Sequence, residues 1–129
     1  MTDSIEIAII GAGPAGVAAA VAAAEAGAQV TLIEEQPRAG GQYYKQLSPA
    51  LLPKHLPPSL ADTVQHGREL LAKLKHPNIN LRCQTLVWHI TPERVLELYA
   101  PSGGSRLQAK KVIIASGAYE RVVPFENWT

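Results

Sequence analysis

The sequence has almost no cysteine: Cys83 stands alone. One thiol forms no internal disulfide and no redox pair, which excludes a disulfide framework and a dithiol mechanism within this chain. Nothing beside Cys83 in the sequence activates a thiolate, so it reads as a small apolar residue at the end of a strand. No charge of one sign dominates either. The formal net charge is +1, and no long-range field would draw nucleic acid or an acidic membrane surface. Long hydrophobic runs are also missing. The longest apolar stretch, residues 17–24, stops at Glu25, far short of the roughly 20 residues that span a bilayer, so no transmembrane segment is expected. The N-terminus, Met1-Thr2-Asp3-Ser4-Ile5-Glu6, carries two acids and no basic n-region. It does not read as a secretory signal, and a cytoplasmic protein is the expectation. His55, His66, His76 and His89 have no metal-ligand spacing and read as surface or packing residues, so no metal site is expected. No nucleophile–base pair or general-acid pair is visible, and no catalytic residue is assigned.

What is present is an ordinary globular balance, 47% hydrophobic and 18% charged over 129 residues, enough for one compact domain with a sizeable core. Residues 5–10 are β-branched and apolar except for Glu6, which suits a strand buried on both faces of a parallel sheet. Gly11-Ala12-Gly13-Pro14-Ala15-Gly16 follows at once. An alanine-rich segment of high helix propensity then runs through Ala26, and Gly27 is placed to end it. Residues 30–33 form a second buried strand with Glu34 at its end. Residues 36–58 hold Pro37, Pro49, Pro53, Pro57 and Pro58 and the pair Gly40-Gly41, with no period. A loop of that length in a compact domain is often functional. Ser59 is placed to cap the next helix, with Asp62 in its first turn. Leu60, Val64, Leu71 and Leu74 share a face, and His76-Pro77 closes the helix. Residues 79–83 read as a third strand. Residues 86–90, 95–99 and 105–109 read as a three-stranded antiparallel meander, with Trp88 in its core. Residues 112–115 read as a fourth parallel strand ended by Gly117.

Gly11, Gly13 and Gly16 fit G-x-G-x-x-G in the context that gives the pattern meaning: a strand before, a helix after, and an acid about 20 residues on. Gly11 allows the tight turn, Gly13 lets the backbone approach a pyrophosphate, and Gly16 allows close packing of helix on strand. The helix N-terminus turns free N–H groups and a positive dipole end toward the diphosphate. Pro14 is tolerated in a first turn whose N–H groups lack intrahelical partners. Glu34 is placed to accept bonds from two ribose hydroxyls, and its charge disfavours a 2′-phosphate. Glu35 points to the other strand face and reads as a solvated acid. These features predict a dinucleotide and do not by themselves separate FAD from NAD.

The opening Ile9-Ile10-Gly11-Ala12-Gly13-Pro14-Ala15-Gly16 and the later Glu34-Glu35-Gln36-Pro37-Arg38-Ala39-Gly40-Gly41-Gln42 resemble the FAD domain of the glutathione-reductase-like, pyridine-nucleotide-linked flavoproteins. Val112-Ile113-Ile114-Ala115-Ser116-Gly117 is similar to their second FAD signature, with Ser116 where the family has Thr. Gly40-Gly41-Gln42 with Gly117-Ala118-Tyr119-Glu120-Arg121 and Pro124-Phe125 looks closest to the branch of opine oxidase α-subunits and the FAD subunit of hydrogen cyanide synthase. That branch commonly continues Pro-Phe-Pro-Gly-Trp, where this chain has Pro124-Phe125-Glu126-Asn127-Trp128.

The resemblance implies an α/β, Rossmann-like FAD-binding fold: a βαβ unit, a parallel sheet and a β-meander crossover. It implies FAD as cofactor, held at the diphosphate by Gly11, Gly13, Pro14, Ala15 and Gly16 and at the ribose by Glu34. Gly41 and Gln42 would lie near the ribityl chain or flavin, Val87 would present its backbone to adenine, and Gly117 would allow close approach. It further implies oxidation of a C–N bond of an amino acid, opine or related amine by hydride transfer to flavin N5. Partner subunits are implied too.

In that family residues 1–129 correspond to a first part of the FAD domain. An NAD-binding-like domain and the returning half of the FAD domain, with its third FAD signature, are not among them. The chain is therefore expected to be catalytically incomplete alone, and a sheet edge left open predicts self-association. Two other readings stay open: the NAD-binding domain of a dehydrogenase, and a non-catalytic binding or assembly module. Tyr43-Tyr44 either line a substrate face or pack on the domain. Glu120-Arg121 reads as a surface ion pair.

Overall fold

The computed structural model describes residues 2–44, 57–119 and 121–126. The middle of the proline-rich stretch with His55, the expected Arg121 partner Glu120, and Asn127-Trp128 lie outside the described residues. The chain runs β1 (Asp3–Ile10), α1 (Pro14–Glu25), β2 (Val30–Ile33), α2 (Pro58–Ala72), a 3-10 turn (Lys73–Lys75), β3 (Ile79–Arg82), β4 (Leu86–Ile90), β5 (Val95–Ala100) and β6 (Gly103–Ile114). All six strands join one sheet in the order β3-β2-β1-β6-β5-β4. β3, β2, β1 and β6 run parallel, and β4, β5 and β6 form the antiparallel meander.

Period-2 alternation divides the core between the two sheet faces. Ile9, Val30 and Leu32 face the helices and pack with Val17, Ala20, Val21 and Ala24 of α1 and with the half-buried Leu70, Leu71 and Leu74. Ala8 and Ile33 face the other way and pack on Leu96, Leu98, Leu107 and Ala109 of the meander. β2 is buried at all four positions, Thr31 included, as a strand covered on both faces of a parallel sheet. The small side chains of α1 let the helix lie close to the sheet. The helix ends in a Schellman motif: Gly27, at φ +93°, donates to Ala24 O and Ala28 donates to Ala23 O.

Four expectations need correction. Residues 105–109 and 112–115 are not two strands but parts of the single β6. Its first half pairs with β5 as far as Val95↔Gln108, while β1 runs beside it from Asp3↔Leu107 to Ile10↔Ile114. Lys110-Lys111 interrupts the apolar run, but both side chains are exposed and no turn residue breaks the backbone there. Ser59 does not cap α2. Pro57 holds the cap position and Pro58 opens the helix, where a missing N–H costs nothing. Trp88 is 63% exposed rather than in the core. The pairing of β4 with β5 shifts between Val87 and His89, and this bulge turns Trp88 outward against the His89 ring. Finally, Leu60 is exposed, so the apolar face of α2 is effectively its last two turns with Leu74 of the 3-10 turn.

Candidate functional site

The four parallel strands end on one side of the sheet, and the connections diverge between β1 and β6. Ligands of open α/β sheets bind in the crevice at such a switch point. Gly11 follows β1 there and Gly117 follows β6.

Each glycine of the turn meets a different neighbour. Gly11 adopts φ +99°, and a Cβ on it would lie 2.3 Å from Ala115 O. A Cβ on Gly16 would lie 1.7 Å from Gly11 O. These two glycines are required by the protein's own packing. Gly13 differs: its backbone is extended (φ −75°, ψ −173°) and its Cβ position meets only Gly41 Cα, at 3.9 Å. Gly13 is also the N-cap of α1 and supplies no side-chain cap, so first-turn N–H groups stay available to an anion. Space at Gly13, rather than a clash, is what a close-approaching diphosphate requires.

Glu34 is buried, 7% exposed, at the end of β2. Its Oε2 accepts the Ala12 N–H at 2.8 Å and its Oε1 accepts the Gln36 N–H at 2.9 Å. The carboxylate therefore braces the glycine turn from within. An ionised carboxylate offers about four lone-pair sites, so two remain for the hydroxyls of a ribose. Cys83 lies close by. Burial, and then the Glu34 charge, push its thiol above the ordinary range, against a backbone hydrogen bond at Ala39 that pulls it down. The thiol stays protonated at neutral pH, as its reading as a small apolar residue requires.

The loop after β2 returns to the glycine turn. Gly40 N–H donates to Ala12 O at 2.7 Å, and a Cβ on Gly41 would lie 2.8 Å from Gly13 Cα. Gly40 and Gly41 both have positive φ. The pair is a fixed part of the turn, not a free hinge, and it carries the exposed Gln42 beside it. Tyr43 and Tyr44 divide the two expected roles: Tyr43 is exposed, whereas Tyr44 packs on Gly67 of α2.

Gly117 has φ +72° with open space at its Cβ position, and its glycine requirement is conformational. Val87 is set apart on β4, its side chain half-buried against the second core cluster. Two residues earlier, the Thr85 N–H donates to Glu34 O at 2.9 Å. Glu35 is exposed and lines a hollow of about 390 Å³ with Pro37, Gln84, Leu86 and Tyr99. Sequence reasoning did not find the bracing role of Glu34, the Ala12 and Gln36 donors, or Gly67. A glycine inside a helical pattern was the one available signal for the last.

A model of the FAD dependent oxidoreductase family matches residues 6–112. The chain belongs to this family. It is 33% identical to one subunit of the opine oxidase of Rhizobium meliloti (strain 1021) over 121 residues, 94% of this chain and 26% of the relative. It is 35% identical to the HcnB subunit of hydrogen cyanide synthase of Pseudomonas protegens over 136 residues, 98% of this chain and 27% of the relative. Among solved structures, L-proline dehydrogenase from P. horikoshii superposes with a TM-score of 0.73 at 27% identity, covering 96% of this chain and 25% of that one. The chain thus spans about a quarter of the length of these relatives. Membership in the family supports FAD as the dinucleotide, and the space at Gly13 and the anchored Glu34 fit its diphosphate and ribose.

Proposed function

We propose that this chain is the FAD-binding part of a flavoenzyme that oxidises a C–N bond in an amino acid, opine or related amine. The observation that carries the cofactor half is the pairing of Glu34, fixed to the Ala12 N–H, with an open Gly13 at the start of α1. The relatives carry the substrate half, since opine oxidase and L-proline dehydrogenase are named for nitrogen-bearing substrates. Residues Gly11, Gly13, Pro14, Ala15 and Gly16 hold the diphosphate and Glu34 the ribose hydroxyls. Gly41 and Gln42 border the ribityl chain or flavin. Val87 offers its backbone to adenine, and Gly117 keeps the end of β6 clear for the cofactor. Bound FAD supplies the hydride acceptor. The chain's own groups bind and orient it, and none is assigned to the chemical step. In the parent enzyme an NAD-like domain, the second half of the FAD domain and partner subunits complete the substrate site.

The test is anaerobic mixing of the FAD-loaded parent enzyme, with its remaining domains and partner subunits, with secondary amino acids and opines while the flavin's visible absorbance is followed. Bleaching by an amine donor supports C–N oxidation. Bleaching only by NADH or a thiol contradicts it. Retained flavin that no donor reduces assigns this chain a binding role alone.

A further inference from the structure

The Tyr44 ring joins helix α2 to the turn that rests on the glycine turn. Gly67 is its one buried residue, and the space a side chain would fill is taken by Tyr44: a Cβ on Gly67 would lie 2.6 Å from Tyr44 Cδ1 and 3.0 Å from Cγ. The His66 ring lies 6.2 Å from the Tyr44 ring, and Tyr43 meets it edge-on at 5.1 Å. Tyr44 in turn closes the short turn at residues 40–44, donating its N–H to Gly40 O at 3.0 Å. At its other end the same turn donates Gly40 N–H to Ala12 O and rests Gly41 on Gly13. A glycine inside α2 costs helix propensity, about 1 kcal/mol against alanine, and it serves no turn or positive φ there. Its use is to seat the ring.

We propose that the Tyr44 ring on Gly67 is a positioning contact. It holds Gly41 and Gln42 over the diphosphate turn and thereby sets the affinity for FAD. The inference rests on the FAD reading above for its binding arm only. Displacing the ring frees the turn, while the helix itself gains from an alanine. Affinity and stability should therefore move in opposite directions, which a merely structural role for Gly67 would not produce.

The test uses the 129-residue chain with Gly67→Ala, Tyr44→Ala and Tyr44→Phe. Amide hydrogen exchange at Gly40, read without cofactor, should speed up in Gly67→Ala and Tyr44→Ala and stay as in the parent chain in Tyr44→Phe, with the thermal midpoint of Gly67→Ala unchanged or higher. FAD titration should show Kd raised on the order of tenfold in the first two variants and unchanged in Tyr44→Phe. Unchanged Gly40 exchange in Gly67→Ala, or an equal loss in Tyr44→Phe, overturns the proposal. Failure of the parent chain to bind FAD would sink the cofactor reading instead, with the exchange arm still deciding whether the contact positions the turn.

Discussion

At the scale of the residue, Glu34 has two tasks that the sequence does not separate. Its place after β2 marks it as a ribose acid, and that much follows from spacing. Its bond to the Gln36 N–H is local, but its bond to Ala12 depends on a contact 22 residues back along the chain, which no local pattern displays. Removing it leaves the buried Ala12 N–H without an acceptor, while Gln36 is exposed and finds water. Glu34→Ala is therefore expected to destabilise the chain by about 2 kcal/mol, measured by urea unfolding, besides any effect on FAD. Gly13→Ala probes the diphosphate side of the cradle without that cost to stability, since its Cβ meets only Gly41 at 3.9 Å and its φ suits any residue. Gly27 is a conformational glycine with no neighbour at its Cβ position. Gly27→Ala should cost about 1 kcal/mol in the same assay through φ alone. For Cys83 the folded thiol holds its proton more tightly than the unfolded one. Its contribution to stability is full below the ordinary thiol range and is lost as pH rises through the folded value. A stability profile into alkaline pH should flatten in Cys83→Ala; an unchanged slope would remove Cys83 as its source.

At the scale of the element, legibility follows locality. β1, the glycine turn, α1 and β2 are readable because strand period, helix propensity, the Gly27 stop and the terminal acid all lie within one unit of sequence. β6 reads as two strands because its apolar run is broken by Lys110-Lys111, a change of environment and not of backbone. Trp88 reads as core because nothing local marks the one-residue bulge that reverses the inward and outward sides of its strand. The Tyr44–Gly67 contact is illegible because it joins a loop to a helix 23 positions away. The β4–β5 turn carries its own strain: Arg94 sits at φ +64°, donating its N–H to Thr91 O. Arg94→Gly should relieve up to about 1 kcal/mol of that strain, less the bond from Arg94 Nε to Ala109 O. Thermal unfolding of the variant checks this, and a lower midpoint would mean that the side-chain bond outweighs the backbone strain.

At the scale of the whole molecule, no strand among the described residues pairs with the outer side of the second half of β6. β5 stops pairing at Gln108, and the N–H of Ala115 donates to Ile10 O, so alternation turns the backbone groups of Val112 and Ile114 away from β1. Ile113 and Ile114 are 39% and 67% exposed. An edge this apolar is expected to pair with another strand. Sedimentation at high concentration should show a dimer or larger species, and a single monomeric boundary would contradict it. The central claim concerns the cradle at the other side of the β1–β6 junction. It is tested most directly by titrating the full chain and its Gly13→Ala variant with FAD and with NAD, following flavin fluorescence and thermal midpoint. The account predicts saturable FAD binding by the parent chain, weak or no NAD binding, and an FAD affinity lowered on the order of tenfold or more in a variant whose unliganded midpoint is unchanged. Preference for NAD, or equal FAD binding by Gly13→Ala, would contradict it.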